Sequence, residues 1–253
     1  MSHTFTSATL LFFVGLVAGT LNVIAGGGSM LTLPVMIFLG LPATVANGTN
    51  RVGILIQNVG ATWGFQRRGL VDARWLRLAV PPALAGALFG AWVGVTVGDA
   101  SFQRILAVVL LVVAVWTLWR PIRPLPEGGA APPSGWKGRT AFMLAFVGVG
   151  FYGGFIQAGV GFLILATTTL GGLDLVRGNA VKIPLVLAFT VLALGMFALS
   201  GKVDWTLGLV LAVGNFLGGQ LGVHLTVLKG HRWVRGVVTT AVVVFALRLL
   251  WVR

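Results

Sequence analysis

The chain lacks cysteine altogether, which excludes disulfides, thiolate metal sites and thiol catalysis and leaves the redox compartment open. Acids are nearly as scarce: five Asp and Glu among 253 residues, against 18 Lys and Arg and three His. All five, Asp72, Asp99, Glu127, Asp174 and Asp204, fall in or beside loops between apolar runs. Five loop carboxylates and three scattered histidines assemble no acid, base or metal cluster. An enzyme acting on a lipid phosphate is therefore poorly supplied, and neither a metal nor any other cofactor is expected. Polar sequence of every kind is short: 57% of residues are hydrophobic, 9% are charged, and the mean hydropathy is +0.97. No soluble core of this length hides so much apolar surface.

What is present is a series of apolar runs, at 8–24, 30–41, 52–65, 78–97, 105–119, 141–157, 162–173, 181–199, 205–228 and 237–251. They are continuous rather than alternating, which argues for membrane helices in a lipid bilayer and against a β-barrel. Runs 30–41 and 162–173 are short and hold the same place in each half. The stretch before the first run carries no Lys or Arg, and no small-residue cleavage site follows it, so the run reads as a retained membrane segment.

The chain also repeats itself. Ala25-Gly-Gly-Gly-Ser-Met-Leu31 returns about 130 residues later as Ala158-Gly-Val-Gly-Phe-Leu-Ile164, Gly69-Leu-Val-Asp72 as Gly201-Lys-Val-Asp204, and Gly86, Gly90 and Gly94 as Gly214, Gly218 and Gly222, in unchanged order. The fold expected is an all-α polytopic membrane protein of two repeats of about five segments, with short helices interrupted by glycine. Residues 1–120 form the first repeat, 121–138 a Pro- and Gly-rich linker, and 139–253 the second. The basic loops, Arg67, Arg68, Arg74 and Arg77, then Arg120, Arg123, Lys137 and Arg139, then Lys229, Arg232 and Arg235, are cytoplasmic by the positive-inside rule. The net charge of +13 is thus a topology signal and not the mark of a nucleic-acid partner. Both termini fall outside. An odd number of segments per half makes the repeats inverted, the plan on which alternating access is built.

Chemistry gathers after the glycine clusters. Gly26, Gly27, Gly28 and Ser29 break the first half, and Gly159 and Gly161 break the second. A break in a membrane helix frees amides, and a helix starting beyond it aims its positive end at any cavity there, a natural place for an anion. Arg51 follows the first break and Lys182 the second at matched distances, with Asn50, Gln57, Asn58 and Asn179 nearby and Asn22 and Gln157 beside the breaks. A charge within a membrane helix costs about 2.5–3.5 kcal/mol, so it needs a partner, a wet cavity or an interfacial position. With no acid in the apolar segments, the expectation is that Arg51 and Lys182 share a bound anion and that the amides and glycine breaks bond its oxygens. Snorkelling of each cation to the headgroups is the plainer alternative. The Gly-xxx-Gly faces at 86–94 and 214–222 read as close helix packing.

These residues carry a family resemblance. Gly26-Gly-Gly-Ser29 with Leu33-Pro34, Leu39-Gly-Leu-Pro42 and Asn47-Gly-Thr-Asn-Arg51 resembles the first repeat of the sulfite exporter TauE/SafE family. Gly153-Gly-Phe-Ile-Gln-Ala-Gly159-Val-Gly161, Asn179 to Lys182, Gly201-Lys-Val-Asp-Trp205 and Gly214-Asn-Phe-Leu-Gly-Gly-Gln-Leu-Gly222 resemble its second. The resemblance implies a multi-pass carrier in the inner membrane of a bacterium or archaeon, taking sulfite, organosulfonates or other sulfur-containing anions. Export by uniport suits the energetics, since one negative charge leaving an inside-negative cell releases ~2.3 kcal/mol per 100 mV. Uptake of a small organic anion and an anion channel are the alternatives, and trans-stimulated, saturable flux separates carrier from channel. Oligomeric state is not set by anything in the sequence.

Overall fold

The computed structural model describes residues 5–119 and 131–251, and every regular element among them is a helix. The first half holds α1 (Phe5–Ile24), α2 (Ser29–Phe38), α3 (Ala43–Gln66), α4 (Ala73–Thr96) and α5 (Asp99–Trp119). The second holds α6 (Trp136–Phe155), α7 (Val160–Leu170), α8 (Leu175–Leu199) and α9 (Trp205–Trp251). Four stretches among the described residues are long and apolar enough to cross a membrane: α1, α4, α8 and the part of α9 from Trp205 to Lys229. The short pair, α2 with 10 residues and α7 with 11, rises roughly 15 Å each, about half of a hydrocarbon core.

Two boundaries differ from the sequence reading. The last two apolar runs do not separate: α9 continues for 47 residues. Between them the chain offers Gly230 and Gly236 but no proline and no capping residue, and lone glycines weaken a helix without ending it. The linker is also shorter than 121–138 at its far end, because Trp136, Lys137 and Gly138 already belong to α6. Residues 131–135 have no regular structure, and 121–130 lie outside the described residues.

Matched motifs do matched local work. Gly69 and Gly201 both take a left-handed backbone, at φ +65° and +67°, which stops the helix before them. Three residues on, Asp72 accepts from the Arg74 backbone N–H and Asp204 from that of Leu207, so each aspartate caps the start of the next helix. The Arg74 guanidinium also grips Asp72, with Nη2 at 2.8 Å from Oδ2, and this hydrogen bond holds the carboxyl below the usual carboxylate range.

The core is built across the halves. α1 lies along α9 and α6 along α4, each pair joined by small residues. A Cβ at Gly214 or Gly218 would come within 2.2 or 2.0 Å of the carbonyl oxygens of Phe12 and Leu16, and one at Gly86 or Gly90 within 2.0 or 1.9 Å of those of Val147 and Phe151. Backbones this close gain dispersion and Cα–H···O contacts that a larger residue would forbid. The glycine faces are packing surfaces, as their spacing suggests. Outward, α4 shows Leu88, Phe89 and Trp92, an apolar surface suited to lipid.

Candidate functional site

α1 and α6 both stop at a glycine break in the middle of the protein. Gly26, at φ +92°, ends the first, and Gly159, at φ +71°, precedes α7. The breaks touch back to back: a Cβ on Gly26 would lie 2.4 Å from the Gly161 Cα, and one on Gly161 2.3 Å from the Gly26 Cα. Gln157, at φ +61°, is the one non-glycine residue with a positive φ among the described residues. Tyr152 Oη donates to the Ala158 carbonyl and closes the second break.

A helix that ends in the protein interior leaves carbonyls without partners, and their dipoles add up to about half a negative charge. Here the buried cation of the other half supplies the donors. Arg51 Nη1 donates to Gly153 O at 3.0 Å and Gln157 Oε1 at 3.1 Å, while Nη2 donates to Gly154 O at 2.6 Å and Phe155 O at 3.3 Å. Its guanidinium lies 4.7 Å from the centre of the Phe197 ring. Lys182 Nζ mirrors this, donating to Asn22 O at 2.9 Å, Val23 O at 2.8 Å and Asn179 Oδ1 at 2.6 Å. An asparagine completes each cap: Asn47 Nδ2 reaches Phe155 O, and Asn179 Nδ2 reaches Ile24 O, both at 2.9 Å. Arg51 is 0% and Lys182 1% exposed, so neither snorkels.

The donors expected to meet one shared anion are thus held by two separate sets of carbonyls. A break creates an open carbonyl end as well as an open amide end, and a cation is the natural partner of the former. Searching for carboxylates, as sequence reasoning does, misses a counter-charge made of backbone.

One polar recess gathers several of the expected residues. Asn22, Asn58, Gln157, Gly161 and Lys182 line it, with Ile54, Val160, Ile183 and Val186 as its apolar wall, and it has room for about one water molecule. Asn22 Nδ2 donates to Gln57 Oε1 and Gln57 Nε2 to Asn58 Oδ1, each at 3.4 Å, so three amides form a chain along its edge. Asn58 Nδ2, at the end of that chain, finds no partner among the described residues. Gln157 Nε2 donates to Thr190 Oγ1 at 2.6 Å, which fixes the amide whose oxygen Arg51 holds.

The other expected residues take different places. Asn50 Oδ1 accepts from Thr32 Oγ1 and its Nδ2 donates to Ser29 Oγ, ties that join α3 to the start of α2. Asn179 is used by the α1 cap, Gln57 is a bridge, and Arg51 stands behind Gln157. Gly27 does not line the recess, and Gly28 lies against Ala18 and Asn22 of α1. Thr190, Thr32 and Asn47 were not among the expected site residues; a polar residue about one or two turns from an expected site residue on the same helix is the signal that marks them.

Comparison with known proteins agrees over almost the whole chain. The model of the sulfite exporter TauE/SafE family matches residues 11–249. A Sinorhizobium sp. protein named Probable membrane transporter protein ORF9 is 32% identical over 95% of this chain and 91% of its own length. Probable membrane transporter protein YfcA of Escherichia coli K12 is 30% identical over 96% and 89%. A Haemophilus influenzae protein, also named a probable membrane transporter, is 28% identical over 90% and 89%. No solved structure matches the chain.

Proposed function

The chain belongs to the sulfite exporter TauE/SafE family and is a membrane transporter, and from that premise we propose that it carries a small sulfur-containing oxyanion, such as sulfite or an organosulfonate, outward across the cytoplasmic membrane. The observation that carries this reading is the recess where the glycine breaks meet: a buried lysine and an amide donor without a partner, Asn58 Nδ2, line the same small space. An oxyanion entering there takes a hydrogen bond from Asn58 and competes with the Asn22 and Val23 carbonyls for Lys182. Gln157 borders the site, and Arg51 positions it. Charge-assisted bonds to such an anion are about twice as strong as neutral ones, which offsets part of its dehydration.

The matched caps support two inverted repeats whose central helices change partners between an outward-open and an inward-open state. The basic residues after α3 and at the start of α6 favour an orientation with both on the cytoplasmic side, in which the potential drives an anion outward. A recess of about one water's size between interlocked breaks favours a carrier over an open channel.

Thermal shift tests the reading, because a ligand stabilises the state it binds by mass action. Purified protein is screened against sulfite, sulfate, thiosulfate, alkylsulfonates and simple carboxylates. The expected result is a rise in Tm with a sulfur-containing anion and a loss of affinity of about tenfold or more, roughly 1.4 kcal/mol, in Asn58→Leu and Lys182→Gln. Variants that keep the full response would move the binding site away from this recess.

A further inference from the structure

Buried polar atoms without a hydrogen bond are unevenly distributed. Of eight such side-chain atoms among the described residues, seven lie on α3 or α9: those of Asn47, Arg51, Asn58 and Thr62 on the first, and of Asn215, Gln220 and Thr226 on the second. Each costs about 1–3 kcal/mol where it stays dry, so a concentration of them on two helices calls for a cause.

The two helices run parallel and meet in successive layers in which a glycine on one faces an amide side chain on the other. A Cβ at Gly53 would lie 2.6 Å from Asn215 Nδ2, one at Gly219 2.7 Å from Gln57 Cγ, and one at Gly60 2.4 Å from Gln220 Nε2. In the next layer Gly64 faces Val223, 3.0 Å from where its Cβ would be. Small-residue packing alone explains the glycines but not the amides. An apolar partner would pack against glycine as well and would leave no donor or acceptor stranded: Asn215 Oδ1 and Gln220 Nε2 have no partner among the described residues, and Asn215 is 2% exposed.

The seam is continuous with the recess. Gln57 is at once the middle amide of the seam and the bridge between Asn22 and Asn58, which line the recess. Beyond Gln220, Phe65 and Val223 close the way, as part of an apolar cluster that reaches back to Ile183 in the recess wall, and Arg67 and Arg68 follow at the end of α3. A polar file therefore leads from the binding recess, past an apolar plug, toward a basic mouth.

We propose that the α3–α9 seam is the closed form of the anion's path through the recess, with Gln57 and Gln220 contacting the anion on the way to the membrane face that carries Arg67 and Arg68, and Asn215 contacting it on the opposite side of the recess. When α9 separates from α3, the stranded amides gain water or substrate oxygen as partners, and the facing glycines leave the width. This inference rests on the anion-carrier reading above and extends it from a binding point to a route.

The absence of cysteine makes the test clean. Single cysteines at Asn215 and Gln220, and at the outward-facing Val213 and Leu221 of the same helix as controls, are probed in proteoliposomes with a membrane-impermeant, negatively charged thiol reagent. The expected result is that the seam cysteines react much faster than the controls. An anion that shifts the Tm of the wild type, present at about ten times its dissociation constant, should slow them about tenfold by occupancy. In parallel, Gln220→Glu puts a like charge in the path and should cut anion flux at least about tenfold, while the recess still answers the anion in thermal shift. Flux in the wild type together with seam cysteines no more reactive than the controls would overturn the path and leave the carrier standing. A wild type that neither binds nor carries any of the anions would overturn the carrier reading, and the path for anions with it.

Discussion

At the scale of the residue, Arg51 and Lys182 occupy corresponding places and do the same job with different hands. The guanidinium spreads four hydrogen bonds over three successive carbonyls and the Gln157 side chain, whereas the lysine ammonium points three from one atom. The two are not interchangeable at such a site. Arg51→Lys should therefore lose at least one charge-assisted bond and lower stability by about 1.5–3 kcal/mol, seen as a lower Tm in detergent. An unchanged Tm would mean that the α6 end does not depend on the fork. The positions of both cations were legible in the sequence, because each follows a glycine break at a matched distance. Their partners were not, since a carbonyl is present at every residue and composition says nothing about which ones are left open.

At the scale of the element, the glycine breaks and the two short helices were readable from the repeat, and the edges of α3 and α8 were not. Apolar runs suggested starts at 52 and 181, but the helices begin at Ala43 and Leu175. The segment Asn47-Gly-Thr-Asn-Arg51 looks too polar for a membrane helix, yet all five residues are buried, so it faces protein and not lipid. The crossing of the breaks gives a sharp test. Gly161→Ala must push a methyl into the Gly26 backbone and should cost about 1–3 kcal/mol. Gly148→Ala on α6 meets nothing within 4 Å and should be neutral or mildly stabilising, as alanine is the better helix former. Equal Tm values for the two variants would show that the breaks are not in contact.

At the scale of the whole molecule, neither half is self-sufficient: α1 packs on α9, α6 on α4, and each broken helix is capped from the other half. The repeat was visible in the sequence, but this exchange of partners was not, because the contacts join residues more than 100 positions apart. Orientation is open to measurement. With the basic loop after α3 inside, an impermeant thiol reagent on intact cells should label Gly98→Cys and spare Gln66→Cys until the membrane is permeabilised; the reverse pattern would invert the topology. The caps also have a consequence for biogenesis. The Asn22 carbonyl leaves the ribosome 160 residues ahead of the Lys182 that will hold it. At ~5–20 residues per second that is roughly 8–30 s, during which the end of α1 has no permanent partner. In that interval the nascent first half needs the translocon, a membrane chaperone or water to shelter it, and a ribosome that stalls before Lys182 would hand the quality-control proteases a chain that cannot close.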